Sequence, residues 1–364
     1  MGDARSITRR KLLELGALGV AALWLSPLLG GCGTPSDNRL LFLNWQDYID
    51  PTILADFTAE SGLSVAYETY ASNDELAERL ILADVARRRG RKGTSFDLIV
   101  PSEYLLQRLR KLGLLQLLDR EIVTSLDNLA PAFRAEPFDP GNRFSVPWAT
   151  GTTGIGYDTT VFDAPPGWDV FLDKAHAGKM TMLDELRDSM GAALFALGDD
   201  PNTRDPGKID AAADWLIEAK TVIRGFDSAT YLDLLAAGAL VCAHGYSSDV
   251  QLARKRNPDL GFTIPQAGGF RWIDSLCIPI AAPNPKGANL FVEFYLTPEI
   301  SALNSVAAQV DTGNQAALQF VPSEVRDNPA IYPPQDVLAR LRFIEDVGEA
   351  EKLYQQAWKR VVSS

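Results

Sequence analysis

Trp272 and Asp274 lie two apart in Gly268-Gly269-Phe270-Arg271-Trp272-Ile273-Asp274-Ser275-Leu276-Cys277-Ile278-Pro279, a glycine turn running into a short strand. Alternate side chains of a strand share a face, so both point the same way. An indole face beside a carboxylate attracts an organic cation: the ring quadrupole holds it and the carboxylate neutralises it. The pair also fits a core tryptophan beside a solvated or turn-capping aspartate, because aromatic rings mostly serve cores. A second acidic pair, Glu185 and Asp188, is spaced to share one helical face. It could hold an ammonium group. Acid–base catalysis is the other use of such a pair, but no nucleophile or metal set accompanies it. His244, Ser247 and Asp249 lack a Gly-x-Ser-x-Gly elbow, so a hydrolase is not supported. The glycines of Ala149-Thr150-Gly151-Thr152-Thr153-Gly154-Ile155-Gly156-Tyr157 are not followed by Gly-Lys-Ser/Thr, which excludes a phosphate loop of that type.

The elements that must position these residues alternate strand and helix. Arg39–Trp45 is an apolar run bounded by polar residues and reads as a buried strand. Pro51 then opens a helix. Gly62–Tyr70 reads as a strand, Asp74–Asp84 as a helix, Arg87–Lys92 as a solvated basic loop and Phe96–Pro101 as a strand. A helix follows through Leu105, Leu109 and Leu112. Such alternation predicts a parallel sheet with helices on its faces, in which ligands sit beyond the carboxyl ends of strands. Trp45, Gln46, Tyr48, Ser102 and Tyr104 all fall at or just past such ends. The same residues would also serve to pack loops. Phe144–Tyr157 reads as a strand crossing between two domains, its glycines permitting close backbone approach. A second alternating region follows: a strand at Lys179–Leu183, a helix opened and capped by Asp184, a surface helix over Ala211–Ile223, and a strand from Leu240 ending in a polar turn at Ser247–Asp249. Further helices are expected over Ala288–Leu296 and from Thr297, with Thr297 as cap and Pro298 at the first position.

Composition narrows the class. The chain has 364 residues and a net charge of −12. Residues 1–31 carry Arg5, Arg9, Arg10 and Lys11 against Asp3 and Glu14, a net of +2 that leaves −14 for the rest. An acidic body argues against nucleic acid and suits a cationic ligand. Three cysteines, Cys32, Cys242 and Cys277, make no disulfide framework; the latter two read as buried free thiols. His176 and His244 stand far apart without metal-ligand spacing, so no metal or cofactor is expected. Residues 1–31 have the basic, apolar, small order of an export signal, and Arg9-Arg10 resembles a twin-arginine signal. The apolar run Leu15–Leu29 is short for a membrane span, which needs roughly 20 residues. Leu29-Gly30-Gly31-Cys32 resembles a bacterial lipoprotein cleavage box, which would leave Cys32 as a lipidated first residue and 32–38 as a tether at a membrane surface.

Three blocks carry a family resemblance: Leu43-Asn44-Trp45-Gln46-Asp47-Tyr48, Phe96–Tyr104, and Gly268–Leu276. With Ile331-Tyr332-Pro333 and Asp346-Val347-Gly348 they resemble, in the same order, the spermidine/putrescine-binding proteins of bacterial ABC importers. The resemblance implies an α/β fold of the two-lobe periplasmic-binding-protein kind (type II-like) with crossing hinge strands. Lobe 1 would comprise 39–150 and 273–317, and lobe 2 would comprise 151–272 and 318–364. It also implies a polyamine ligand, the permease subunits of an ABC transporter as partners, an extracytoplasmic location and no catalysis. By the resemblance, Trp45, Tyr48, Tyr104, Trp272 and Tyr246 box the ligand's methylenes. Asp274, Glu185 and Asp188 bind its ammonium groups, and Gln46 and Ser102 are polar contacts. The Asp-then-Glu order common at that helix is swapped here. Val310 stands where tyrosine is usual and Ile344 where glutamine is usual in the spermidine branch, and Asp311 is the expected compensation. These departures keep open a binding protein for another organic cation.

Overall fold

The computed structural model describes residues 38–46, 48–91 and 95–364. The export signal, Cys32 and most of the tether lie outside them, as do Asp47 and Lys92. The strands are β1 (Arg39–Trp45), β2 (Ser64–Tyr70), β3 (Leu98–Ile99), β4 (Ser145–Asp158), β5 (Met180–Met182), β6 (Gly225–Phe226), β7 (Cys242–Tyr246), β8 (Leu260–Thr263), β9 (Gly269–Cys277) and β10 (Leu341–Arg342). They form one sheet in the order β2-β1-β3-β9-β4-β7-β5-β6, with β10 beside β9 and β8 beside β4.

The alternating regions form parallel groups as expected, but the sheet as a whole is mixed. β2-β1-β3 is a parallel group, and so is β7-β5-β6. Between them run β9 and β4, antiparallel to each other, β9 antiparallel to β3 and β4 antiparallel to β7, while the short β10 lies parallel to β9. The reason is connectivity: the chain leaves the first group along β4 and returns along β9. β4 pairs with β9 as far as Thr153, and from there on with β7 and β8. Fourteen residues of extended chain span about 45 Å, enough to cross from one lobe to the other. All of β4 except its last residue is buried.

Each group is covered by its own core. Leu40, Phe42, Val146, Trp148, Leu276 and Phe291 fill one side of the first group; Leu43, Ile99, Leu105, Leu106 and Cys277 fill the other. In the second group, Met180, Met190, Leu194, Ala212, Leu216, Cys242 and Tyr354 pack together. Helix Pro206–Lys220 contributes to that core through Ile209, Ala212, Leu216 and Ala219. It begins earlier than expected because Asp205 caps it, and one face is core rather than surface. Ala317, Val321, Val325 and Ile331 pack with Ala302 of helix Pro298–Ala308, whereas Ile344 and Val347 join the second group's core. Cys242 and Cys277 are buried free thiols.

Several local expectations shift. α1 (Pro51–Ser61) starts at its proline, capped by Asp50. α2 spans Asn73–Arg88, so Arg87 and Arg88 are helical rather than loop, and both clasp Asp84. The expected strand 96–101 shrinks to β3, because the Asp97 carboxylate accepts the Leu41 N–H at 2.8 Å in place of a strand carbonyl. α3 (Glu103–Lys111) stops before Leu112, which is exposed. Helix Leu186–Ala196 has Glu185, not Asp184, at its N-cap position; the Asp184 N–H is held by Ser228 Oγ at 2.8 Å. The polar turn at 247 is a helix, Ser247–Arg254. Thr297 precedes its helix without a side-chain capping bond.

Candidate functional site

β9 and β4 form the floor of the site. Trp272 pairs with Gly151, and Asp274 with Ala149. A Cβ on Gly151 would lie 2.4 Å from Trp272 Cζ2, so only glycine lets the indole lie across β4 there. Two residues on, Thr153 pairs with Phe270 on one side and with Tyr246 of β7 on the other. All these side chains share one face of the sheet. Tyr246 meets Trp272 edge to face at 6.3 Å between centroids, and Tyr48 stands 6.4 Å from the same ring. Two aromatic side chains from distant parts of the chain thus meet Trp272.

Two groups of carboxylates meet the same face. Asp274 is buried, with Tyr48 donating to its Oδ2 at 2.8 Å and Ser102 to its Oδ1 at 2.6 Å. Ser102 occupies the N-cap position of α3 but makes no capping bond there. Forgoing a cap costs a helix about 1 kcal/mol, so the hydroxyl is committed to Asp274 against its local preference. Burial pushes the Asp274 carboxyl up to about 6, against the pull of those two donors. Asp188 takes a bond from Thr153 Oγ1 at 3.2 Å, and burial raises it to about 6. Glu185 is raised to about 8 by burial, then by Asp188, Asp184 and Asp74. Tyr104 packs against the cores of both strand groups, and its hydroxyl feels Glu185, Asp188 and Asp74. Among the described residues no lysine, arginine or histidine forms an ion pair with Asp274, Glu185 or Asp188. The arrangement is therefore anionic, aromatic-walled and short of counter-charge. An unpaired buried charge is costly, and a cation from outside would relieve it.

The structure brings together Tyr48, Ser102, Trp272 and Asp274, and beside them Tyr246, Asp188, Glu185 and Tyr104. Three expected residues stand apart. Trp45 meets Tyr70 in a tilted contact at 4.5 Å between centroids and gives its indole N–H to the Val100 carbonyl at 2.9 Å, so it braces the wall from behind. Gln46 is exposed at the end of β1. Asp311 is the third. It bridges Thr150, which pairs with Ile273, so by the pleat its side chain faces the side of Arg271 and Ile273, away from Trp272 and Asp274. Its carboxylate accepts the Gly313 N–H at 3.0 Å and feels the Arg271 charge. Val310 and Ile344, the two apolar departures, are buried in the cores.

Sequence reasoning missed three residues. Glu103 is buried and accepts the Ile273 N–H at 3.0 Å; burial raises it to about 8, with Asp274 and Asp188 adding. Asn73 bonds Ser102. Asp74 opens α2 on the Glu185 side. Only the adjacency of Glu103 to Ser102 and Tyr104 could have drawn notice. The histidine reading is closed. His244 is buried edge-on to Trp168 and pushed down to about 3, while Ser247 accepts the Thr152 N–H and Asp249 accepts the Tyr231 hydroxyl. Among the described residues no group of His, Cys, Asp and Glu is arranged to hold a metal, and no helix is long and apolar enough to cross a membrane.

Two α/β groups joined by antiparallel crossing strands, with an acid-and-aromatic cage on those strands, define a two-lobe solute-binding protein. The chain belongs to the bacterial extracellular solute-binding proteins, whose family model matches residues 52–333. It is 31% identical over 355 residues to a spermidine/putrescine-binding periplasmic protein of Salmonella typhimurium, covering 97% of each chain. Among solved structures it resembles the spermidine/putrescine ABC transporter substrate-binding protein of Streptococcus pneumoniae, with a TM-score of 0.76 and 28% identity over 89% of this chain and 100% of that one. A lipoprotein of Treponema pallidum superposes with a TM-score of 0.79 and 27% identity, over 89% and 99%. Its task is accordingly binding outside the cytoplasm, not catalysis.

Proposed function

We propose that this chain captures a polyamine, putrescine or spermidine, between its lobes and hands it to the permease of an ABC importer. The observation that carries the reading is Asp274: a buried carboxylate, held by two hydroxyls and flanked by Trp272, with no cation of its own. A polyamine is a flexible chain of methylenes between ammonium groups. Asp274 takes one ammonium; Glu185 and Asp188 take another; Trp272, Tyr48, Tyr246 and Tyr104 cover the methylenes. Each ring adds roughly 0.5–2 kcal/mol of cation–π attraction where the charge is desolvated. A ligand touching both strand groups favours the closed arrangement by population shift, which a transporter can read.

The lobes in this reading are 39–150 with 273–317, and 151–272 with the C-terminal segment. The expected bounds put 318–364 in the second lobe; the packing of Ala317, Val321, Val325 and Ile331 with Ala302 of helix Pro298–Ala308 supports moving 318–331 to the first. Residues 1–31 are removed as an export signal and Cys32 is lipidated, holding the protein at the membrane surface; mass spectrometry of the mature N-terminus tests this.

Calorimetric titration of residues 33–364 with putrescine, cadaverine, spermidine and thiamine tests the main reading. Saturable binding of a polyamine is expected. A second reading, a different organic cation, is favoured by the burial of Val310 and Ile344 in the cores, because neither offers a hydrogen bond to a polyamine nitrogen. Binding of thiamine with no response to any polyamine would select it.

A further inference from the structure

Asn73, the first residue of α2, is buried, and its carboxamide is spent on the site. Nδ2 donates to Ser102 Oγ at 3.0 Å, and Oδ1 accepts the Ser102 N–H at 3.2 Å. The opposite amide orientation would set a donor against that N–H, so the bonding pattern fixes which atom is which. The same side chain reaches the Tyr104 hydroxyl. A serine hydroxyl carries one proton. With an Asn73 N–H directed at the Ser102 oxygen, that proton goes to Asp274 Oδ1, 2.6 Å away.

We propose that Asn73 is a positioning residue for solute capture, which fixes Ser102 as a donor to Asp274 and so keeps that carboxyl ionised and oriented to receive a cation. The proposal rests on the reading of Asp274 as the ligand's counter-charge. Three other titratable groups face Asp274: Tyr48, donating to Oδ2; Tyr70 on β2; and Glu103 on α3. Burial holds all three toward their protonated forms. Ser102 and Tyr48 are thus the two side chains that donate to the ionised form, and a change at either is felt directly by Asp274.

The test follows the Asp274 carboxyl titration by carbon NMR in the unliganded full chain, for wild type, Asn73→Ala, Ser102→Ala and the double variant. Each single change is expected to raise the midpoint by about half a pH unit or more. The double variant should match Ser102→Ala alone, because the proposal routes the effect of Asn73 on Asp274 through that hydroxyl. Additive shifts, or an unmoved midpoint in Asn73→Ala, overturn the proposal. Asn73→Asp keeps the shape and serves if the alanine variant does not fold. It can only accept, so it competes for the Ser102 proton and should raise the midpoint more in the Ser102 background than in the Ser102→Ala background; an equal rise overturns the proposal. Calorimetry with spermidine and putrescine reads the consequence, an affinity loss of about three- to tenfold in Asn73→Ala at pH 7. If wild type binds no polyamine, the polyamine reading falls and the titration still decides the role of Asn73. If wild type binds and Asn73→Ala leaves both titration and affinity unchanged, only the Asn73 proposal falls.

Discussion

Ser102 and Asp274, 172 residues apart, are joined by a 2.6 Å hydrogen bond and by an isolated backbone bridge. The contact ties the start of α3 to the strand that returns from the second group. It gives a buried carboxylate one of its two donors at the cost of a helix cap. Local stability is set aside for a charge that has no internal partner. Sites that break a local rule without local compensation are where function is expected.

Replacing Asp274 should separate stability from binding. Asp274→Asn keeps the shape and removes a buried charge that lacks a cation, so the ligand-free protein should melt about 2–4 °C higher. Polyamine affinity should fall at least about tenfold, because a buried ammonium is left without its carboxylate. Scanning calorimetry and titration calorimetry on the same sample check both halves. Unchanged affinity would remove Asp274 from the site.

Burial raises Asp274 and Asp188 to about 6 and Glu185 to about 8. In each case the folded protein binds protons more tightly than the unfolded chain, so these groups lower stability as pH rises from the ordinary carboxylate range through those values. The ligand-free protein should therefore lose stability between about pH 4 and 8 through these three groups. A cationic ligand prefers the ionised forms, so affinity should rise over the same window and binding near pH 6–7 should release protons. Titrations in buffers of different ionisation enthalpy measure that release. Proton uptake on binding would reverse the assignment.

The parts of this protein legible from sequence are those governed by short periods. β1 follows from an apolar run, β2 and the Trp272/Asp274 face from alternation, and the start of α1 from Pro51. The two-lobe fold came with the family resemblance. The mixed sheet was not legible, because the direction in which β9 meets β3 and β4 is a long-range fact. The same holds for Asn73 and Glu103, whose partners Ser102 and Ile273 lie 29 and 170 residues away. The helix expected to be capped by Asp184 starts at Leu186, with Asp184 exposed before it, and helix Ser247–Arg254 reads as a turn because Tyr246, at its N-cap position, makes no side-chain capping bond.

Asp311→Asn tests the faces of the hinge strands. Adjacent to Val310, Asp311 invites a role at the ligand, but its bridge to Thr150 sets it on the Arg271 side. Polyamine affinity should stay within about twofold of wild type, since the substituted group does not touch the cage. A loss of tenfold or more by calorimetry would return Asp311 to the site.

Gly151→Ala tests whether the indole of Trp272 must lie flat across β4. The backbone of Gly151 is not in a left-handed conformation, so alanine is not excluded by its dihedral angles. The obstacle is the ring: the new methyl would sit 2.4 Å from Cζ2 and 2.7 Å from Cη2 of Trp272. Either the indole tilts away or β4 and β9 separate. Overpacking of this kind costs about 1–3 kcal/mol, which for a chain of this length is a drop of several degrees in Tm. A tilted indole also withdraws its face from the cation, so affinity should fall about tenfold or more while Asp274 stays in place. Tryptophan fluorescence, quenched or shifted by ligand in wild type, should respond less in the variant. Wild-type affinity together with a wild-type fluorescence response would show that the ring's position on β4 does not matter to binding.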